Sequence, residues 1–224
     1  MNKSNLKISY FLNFLIVILV IFSLIVMFGK INFMHMENPI DELHRIAMLK
    51  YFTTDSNILV GIASFLLLLD EKKVIKDKGK NIKSSLYLFK FISTVAVMVT
   101  FLTVFIYLGP GSPGGIVSML TNSNLFFHFI VPVLAFISFI FFERNNKLDK
   151  KCIKYGVLPV IIYGIIYTIN VIIHIDGGKV SIKYDWYWFV QNGVWSILIV
   201  LPFMILGTYL LSYVIYILNN KKAK

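Results

Sequence analysis

Three short stretches of this chain carry side chains that could do chemistry in apolar surroundings. The first is Tyr51-Phe52-Thr53-Thr54-Asp55-Ser56-Asn57, where Thr53, Ser56 and Asn57 stand at i, i+3 and i+4 and share one helix face. Asp55 points to the opposite side, and Thr and Asp also suit a helix N-terminus. The second is Leu-Phe-Phe-His-Phe-Ile-Val-Pro, with His128 among large apolar side chains and Pro132 four residues on. Proline supplies no N–H, so the His128 carbonyl is expected to lose its helical donor and the helix to kink. The third is a stripe of Tyr163, Tyr167, Asn170 and His174, spaced by four, three and four residues. It puts two hydroxyls, an amide and an imidazole on one face.

A hydroxyl is a weak nucleophile until a base within hydrogen-bond reach takes its proton. Histidine suits that task near neutral pH, and an amide or hydroxyl on a neighbouring helix can hold an oxyanion. These stretches therefore compose an acyl-transfer site, with Thr53 as nucleophile, His128 as base, and Asn57, Tyr167 and Asn170 orienting the histidine or holding the oxyanion. Ser56 is the alternative nucleophile. Each stretch also has a purely structural explanation, as helix cap, hydrogen-bonded core histidine or packed aromatic face. The chain has no Gly-x-Ser-x-Gly elbow, no His-Glu-x-x-His and no Walker loop. His128 and His174 lack carboxylates in the spans to complete a metal site, so neither metal nor cofactor is expected.

The elements that must position these residues follow from composition. The chain has 224 residues, 58% apolar and only 15% charged, with a mean hydropathy of +0.77. A soluble domain is about 45–50% apolar and about 25% charged. The reading is an all-α, polytopic membrane protein forming a single integral domain over residues 1–224. A span needs about 20 mostly apolar residues. Six segments qualify, near Ile8–Lys30, Phe52–Leu69, Leu86–Leu108, Ser123–Phe142, Lys154–Ile175 and Gly193–Leu218. The first has an apolar run too long for a signal-peptide core and no small-x-small site after it, so it reads as a retained helix. Cys152 is alone, which excludes an internal disulfide and a cysteine-rich zinc site.

The net charge of +11 is a topology signal. If all six segments span, both termini and the second and fourth loops share one side, and that side holds 17 of the 22 Lys and Arg residues. Only Lys30, Arg45, Lys50, Lys179 and Lys183 face the other way. The positive-inside rule places both termini in the cytoplasm, and anionic headgroups account for the rest of the basic balance without nucleic acid. Asp70 to Ser85 reads as a lysine-rich connector broken at Gly79, and Gly109 to Gly115 as a turn-rich, non-helical cap. Tyr184, Trp186, Tyr187 and Trp188 read as an aromatic belt at the outer headgroups.

Depth draws the polar residues together. At about 1.5 Å per residue, Thr53 lies about 24 Å above Leu69 and His128 about 21 Å above Phe142. Tyr167 and Asn170 lie about 20 and about 24 Å above Lys154 by the same rise. Thr100 and Thr103 fall in this band, so four helices carry polar groups at one level of the outer leaflet.

Tyr-Phe-Thr-Thr-Asp-Ser-Asn-Ile-Leu-Val, the Pro-Gly-Gly loop leading to His-Phe-Ile-Val-Pro, and Leu-Pro-Val-Ile-Ile-Tyr-Gly-Ile-Ile-Tyr carry a resemblance. From about Lys50 to the last span, the chain resembles a bacterial family of six-helix integral membrane proteins. That family is similar to the androgen-induced and androgen-dependent TFPI-regulating proteins of animals. The resemblance implies a bacterial plasma-membrane protein that hydrolyses fatty-acyl esters within the bilayer through a threonine and a histidine. Thr53 follows Lys50, Tyr51 and Phe52 as the family's threonine follows a lysine and two apolar residues. His128 precedes Pro132 by four residues, where the family has five. A non-catalytic lipid-binding or transport protein and a lipid acyltransferase of similar architecture are the alternatives, and a membrane lipid is the expected partner in all three.

Overall fold

The computed structural model describes residues 3–34, 45–77, 81–143, 148–190 and 193–221. Six long helices make up most of it: α1 (Lys3–Gly29), α2 (Phe52–Lys76), α3 (Ser84–Gly111), α4 (Ser123–Phe142), α5 (Cys152–Ile173) and α6 (Val194–Lys221). Consecutive helices run antiparallel, so Ser9 of α1 meets Glu71 late in α2, and Tyr87 early in α3 meets Asn219 late in α6. The fold is all-α apart from a ribbon of β1 (Ile175–Asp176) and β2 (Lys179–Val180). Gly177 and Gly178 turn it with φ of 55° and 78°, the left-handed pair that a two-residue hairpin loop requires.

Five of the helices, all but α2, are long and apolar enough to cross a membrane, which is the build of a multi-pass membrane protein. Their outward faces would be untenable in water. Ile199 and Phe203 of α6 are 75% and 73% exposed, beside a continuous isoleucine face on α5. Helix α2 has a polar head and a charged tail, and lies between its principal neighbours α1 and α3. It runs on to Lys76, which makes Asp70 and Glu71 helical and shortens the expected connector from Asp70 to Ser85. Gly79, the expected breaker, lies outside the described residues, as do Lys78, Lys80, Arg144, Lys147, Lys222 and Lys224 of the charge count.

Two prolines are accommodated by one device. A π-helical turn at Phe126–Ile130 precedes Pro132, and another at Thr103–Leu108 precedes Pro110. Widening the register to i−5 joins the Val131 N–H to the Phe126 carbonyl. The next carbonyl, that of Phe127, is one that Pro132 leaves without a donor. Pro132 also withholds the α-register donor from the His128 carbonyl, as expected, and the π register frees the Phe127 carbonyl besides, which is the one a side chain reaches. The bulge in α3 likewise carries helix through Gly109–Gly111, which the glycines and prolines had argued against. A Cβ at Gly109 would meet Ile116 Cγ1 at 2.7 Å, so the helix end and the following turn close on each other there. The chain then turns through Gly114 and Gly115, with φ of 88° and 68°.

Candidate functional site

At the end of the bundle where α2 begins, Tyr51 takes an extended conformation and caps no N–H with its side chain. The first N–H groups of a helix need acceptors from elsewhere. Tyr187 supplies one, its phenol oxygen accepting from the Phe52 N–H at 2.9 Å. Burial pushes the Tyr187 phenol up to about 12, so it stays protonated and keeps a hydrogen to donate. Thr53 and Tyr163 are its polar neighbours, the Tyr163 ring centre lying 6.3 Å from that of Tyr187. Tyr163 in turn donates to the Lys50 carbonyl at 2.6 Å and accepts from Trp186 Nε1 at 3.0 Å. Lys50 itself sits 5.2 Å from the centres of the Tyr51 and Trp186 rings, with its pKa lowered by burial and by Lys183.

Beneath this hydroxyl chain lies a narrow cavity of about 60 Å³ between α2, α3, α5 and α6. A water takes about 10–15 Å³ on that scale, so there is room for a few waters or a short stretch of hydrocarbon. The walls are apolar, with Val104, Leu108, Val160 and Met204 among them, and the polar groups are hydroxyls of Thr53, Thr100, Thr103, Thr168 and the three tyrosines 163, 167 and 187. Gly164 lines it too, because any Cβ there would collide with Leu201 of α6. The cavity thus gathers Thr53 and Tyr167 of the expected site, with Tyr163 of the stripe.

The other expected residues are placed otherwise. Ser56 donates to the Thr53 carbonyl at 3.1 Å and lies 2.9 Å from Thr100 Oγ1, joining α2 to α3. Asn57 gives its amide hydrogens to the Thr53 carbonyl at 2.8 Å and to the Phe127 carbonyl at 3.0 Å. The second is a carbonyl that Pro132 leaves free, so Asn57 ties the turn carrying Thr53 to the turn carrying His128. Its Oδ1 is buried with no partner. His128 is buried and its Nδ1 lies 2.6 Å from the Met119 carbonyl. A carbonyl only accepts, so the hydrogen is on Nδ1, and Nε2 is the nitrogen left to take a proton. His128 does not line the cavity, and no hydrogen bond joins its side chain to that of Thr53 among the described residues.

The lower part of the α5 stripe holds a loop. Asn170 donates to the Tyr184 carbonyl at 2.7 Å, and His174 stacks on the Tyr184 ring with centroids 3.6 Å apart. Tyr167 donates to the buried Asp185, whose oxygens also accept from the N–H groups of Phe189 and Val190 at 2.9 and 3.1 Å. The expected belt is therefore mostly a lid. Trp186 and Tyr187 pack inward on Tyr163 and Tyr167, and only Trp188 turns out, on a backbone φ of 59°. Sequence alone put Tyr187 in the belt and gave Asp185 no role, because Tyr167, which holds Asp185, lies 18 residues earlier on α5. A tyrosine stripe facing one helix side, followed by a loop rich in Tyr, Trp and Asp, was the available signal.

Comparisons with protein-family models, with curated proteins and with solved structures give no match for this chain. Fold and site together define an all-helical, multi-pass membrane protein with an apolar cavity capped by hydroxyls.

Proposed function

We propose that this chain is a six-span protein of the cell membrane, with both termini cytoplasmic, whose cavity receives part of one lipid acyl chain. The observation that carries the reading is Thr53 itself, which lines a largely apolar cavity between four helices together with Tyr163, Tyr167 and Tyr187. An acyl chain would lie along Val104, Val160 and Met204, and its ester would meet Thr53 and Tyr187. Helix α2 counts as the sixth span because its polar face is satisfied by α3 and α4 rather than by lipid.

A second reading makes the site an esterase or acyltransferase. The His128 tautomer favours it, since Nε2 is free to act as base, and so does the Asn57 strut that joins the two turns. Thr53 Oγ would add to the ester carbonyl while His128 takes its proton. The proton then passes to the departing alcohol, and water or a second hydroxyl releases the acyl group.

The test uses purified protein in lipid nanodiscs with a photoactivatable fatty acyl ester. Wild type should be crosslinked within the cavity, and Val160→Trp, in protein that keeps its size-exclusion profile, should cut crosslinking at least tenfold by filling it. Equal crosslinking of both would remove the acyl-chain reading. The catalytic reading requires fluorophosphonate labelling and ester turnover that fall by about 10²-fold or more in both Thr53→Ala and His128→Ala.

A further inference from the structure

The opposite end of the bundle holds a buried ionic cluster. Lys90 of α3 and Glu71 of α2 are 0% exposed, and Glu143, which follows α4, is 1% exposed. Lys90 Nζ lies 3.8 Å from Glu143 Oε1 and donates to Asn13 Oδ1 at 2.8 Å and to Ser64 Oγ. Asn13 and Ser138 donate to Glu143 Oε1 at 3.0 and 2.6 Å, while Ser9 donates to Glu71 Oε1. Four elements thus contribute, and α1 supplies only uncharged groups.

The charges do not balance. Among the described residues, one lysine faces two carboxylates, and the charges acting on Glu71 are those of Glu143 and Lys90. Those acting on Lys90 among the described residues are Glu143 and Glu71. Asp70 is turned to the Lys83 N–H, and Tyr87 and Asn219 meet the backbone carbonyl of Glu143 rather than its carboxylate. With all three groups ionised, the cluster would keep a net negative charge away from water, which is strongly unfavourable. A second observation locates the deficit. Each carboxylate takes its donors on Oε1, one for Glu71 and two for Glu143, while Oε2 of each is buried with no hydrogen-bond partner among the described residues.

We propose that Glu71, Glu143 and Lys90 form a proton-binding site, which holds one exchangeable proton on the bare oxygens of the two carboxylates. Uptake takes the cluster from a net charge of −1 to zero, with the proton drawn from water and returned to it. The inference is independent of the acyl-chain reading, since no residue is shared between the two sites.

Infrared difference spectroscopy on the full-length protein in nanodiscs tests it, in choline chloride buffers stepped from acidic to alkaline pH. Wild type should show the stretch of one protonated carboxyl per chain, lost as pH rises. Glu71→Gln and Glu143→Gln should each abolish that band, because either leaves one carboxylate balanced by one lysine. Lys90→Met should retain the band to higher pH. No titrating carboxyl in wild type, or a band that survives in both glutamine variants, would overturn the proposal. So would loss of the band on adding sodium chloride at fixed pH, which would make Na⁺ the occupant. Size-exclusion profiles identify any variant that fails to fold, and the wild-type titration decides the matter without one.

Discussion

The two ends of this bundle bury polarity in different ways. Around Thr53 the buried groups are mostly hydroxyls, phenols and amides, able to donate and accept, with one carboxylate, Asp185, held by Tyr167 and two backbone N–H groups. Around Lys90 they are full charges enclosed by serines and asparagines. A hydroxyl rim can exchange its partners for a ligand's at small cost, because each net hydrogen bond is worth only about 0.5–1.5 kcal/mol. A buried ion pair cannot, since removing either member strands the other. The hydroxyl end is thus built to admit something, and the charged end to hold the helices in one register while it exchanges nothing larger than a proton.

Breaking the charged end should have the largest effect. Lys90→Met keeps the aliphatic stem but leaves two buried carboxylates, and should cost about 3–5 kcal/mol near neutral pH by thermal or denaturant unfolding in detergent. The loss should shrink as pH falls, because protons then supply the missing positive charge. A cost under about 1 kcal/mol at every pH would show that the lysine is not charged in the folded protein.

Tyr167→Phe is the matching cut at the hydroxyl end and should cost less, about 1.5–3 kcal/mol, the range for a hydrogen bond to a charged acceptor. Asp185 keeps two backbone donors after the change, so its carboxylate is not stranded. If Tyr167→Phe proved as damaging as Lys90→Met, the lid would be as tightly coupled to the bundle as the ionic cluster is, and the contrast between the ends would fail.

The contrast also explains what could be read from the chain. Thr53, Ser56 and Asn57 form a local pattern, three polar residues on one helix face, and the cavity and the α4 contact follow from where that face points. The π-turn ahead of Pro132 was half legible, since proline announces a carbonyl without its helical donor but not the wider register that also frees Phe127. The ionic cluster was hidden. Lys90, Glu71 and Glu143 each lie near a span end, where lysines and acids belong to water, and the partner that encloses Lys90 is 77 residues away at Asn13. One sign was present: Ser9 and Asn13 stand one turn apart on the apolar α1, where polar groups need partners from another helix.

The smallest effect belongs to the residue beside the candidate nucleophile. Thr54 is more deeply buried than Thr53 or Asp55 on either side of it, but its hydroxyl faces Met27 of α1 at 4.0 Å from the sulfur, and it does not line the cavity. Thioether sulfur is a weak acceptor, so little hydrogen bonding is lost when a methyl replaces the hydroxyl. Thr54→Val conserves volume and places an apolar group against an apolar one. It should unfold within about 0.5 kcal/mol of wild type, because neither partner is left as an unsatisfied polar group. It should also leave acyl-chain crosslinking unchanged, which makes it the control for any substitution of Thr53. The two threonines differ by one residue and by about 100° around the helix, so a ligand in the cavity must distinguish them. Loss of crosslinking in Thr54→Val, in protein that still folds, would put the lipid contact on the α1 side of α2 and away from the cavity.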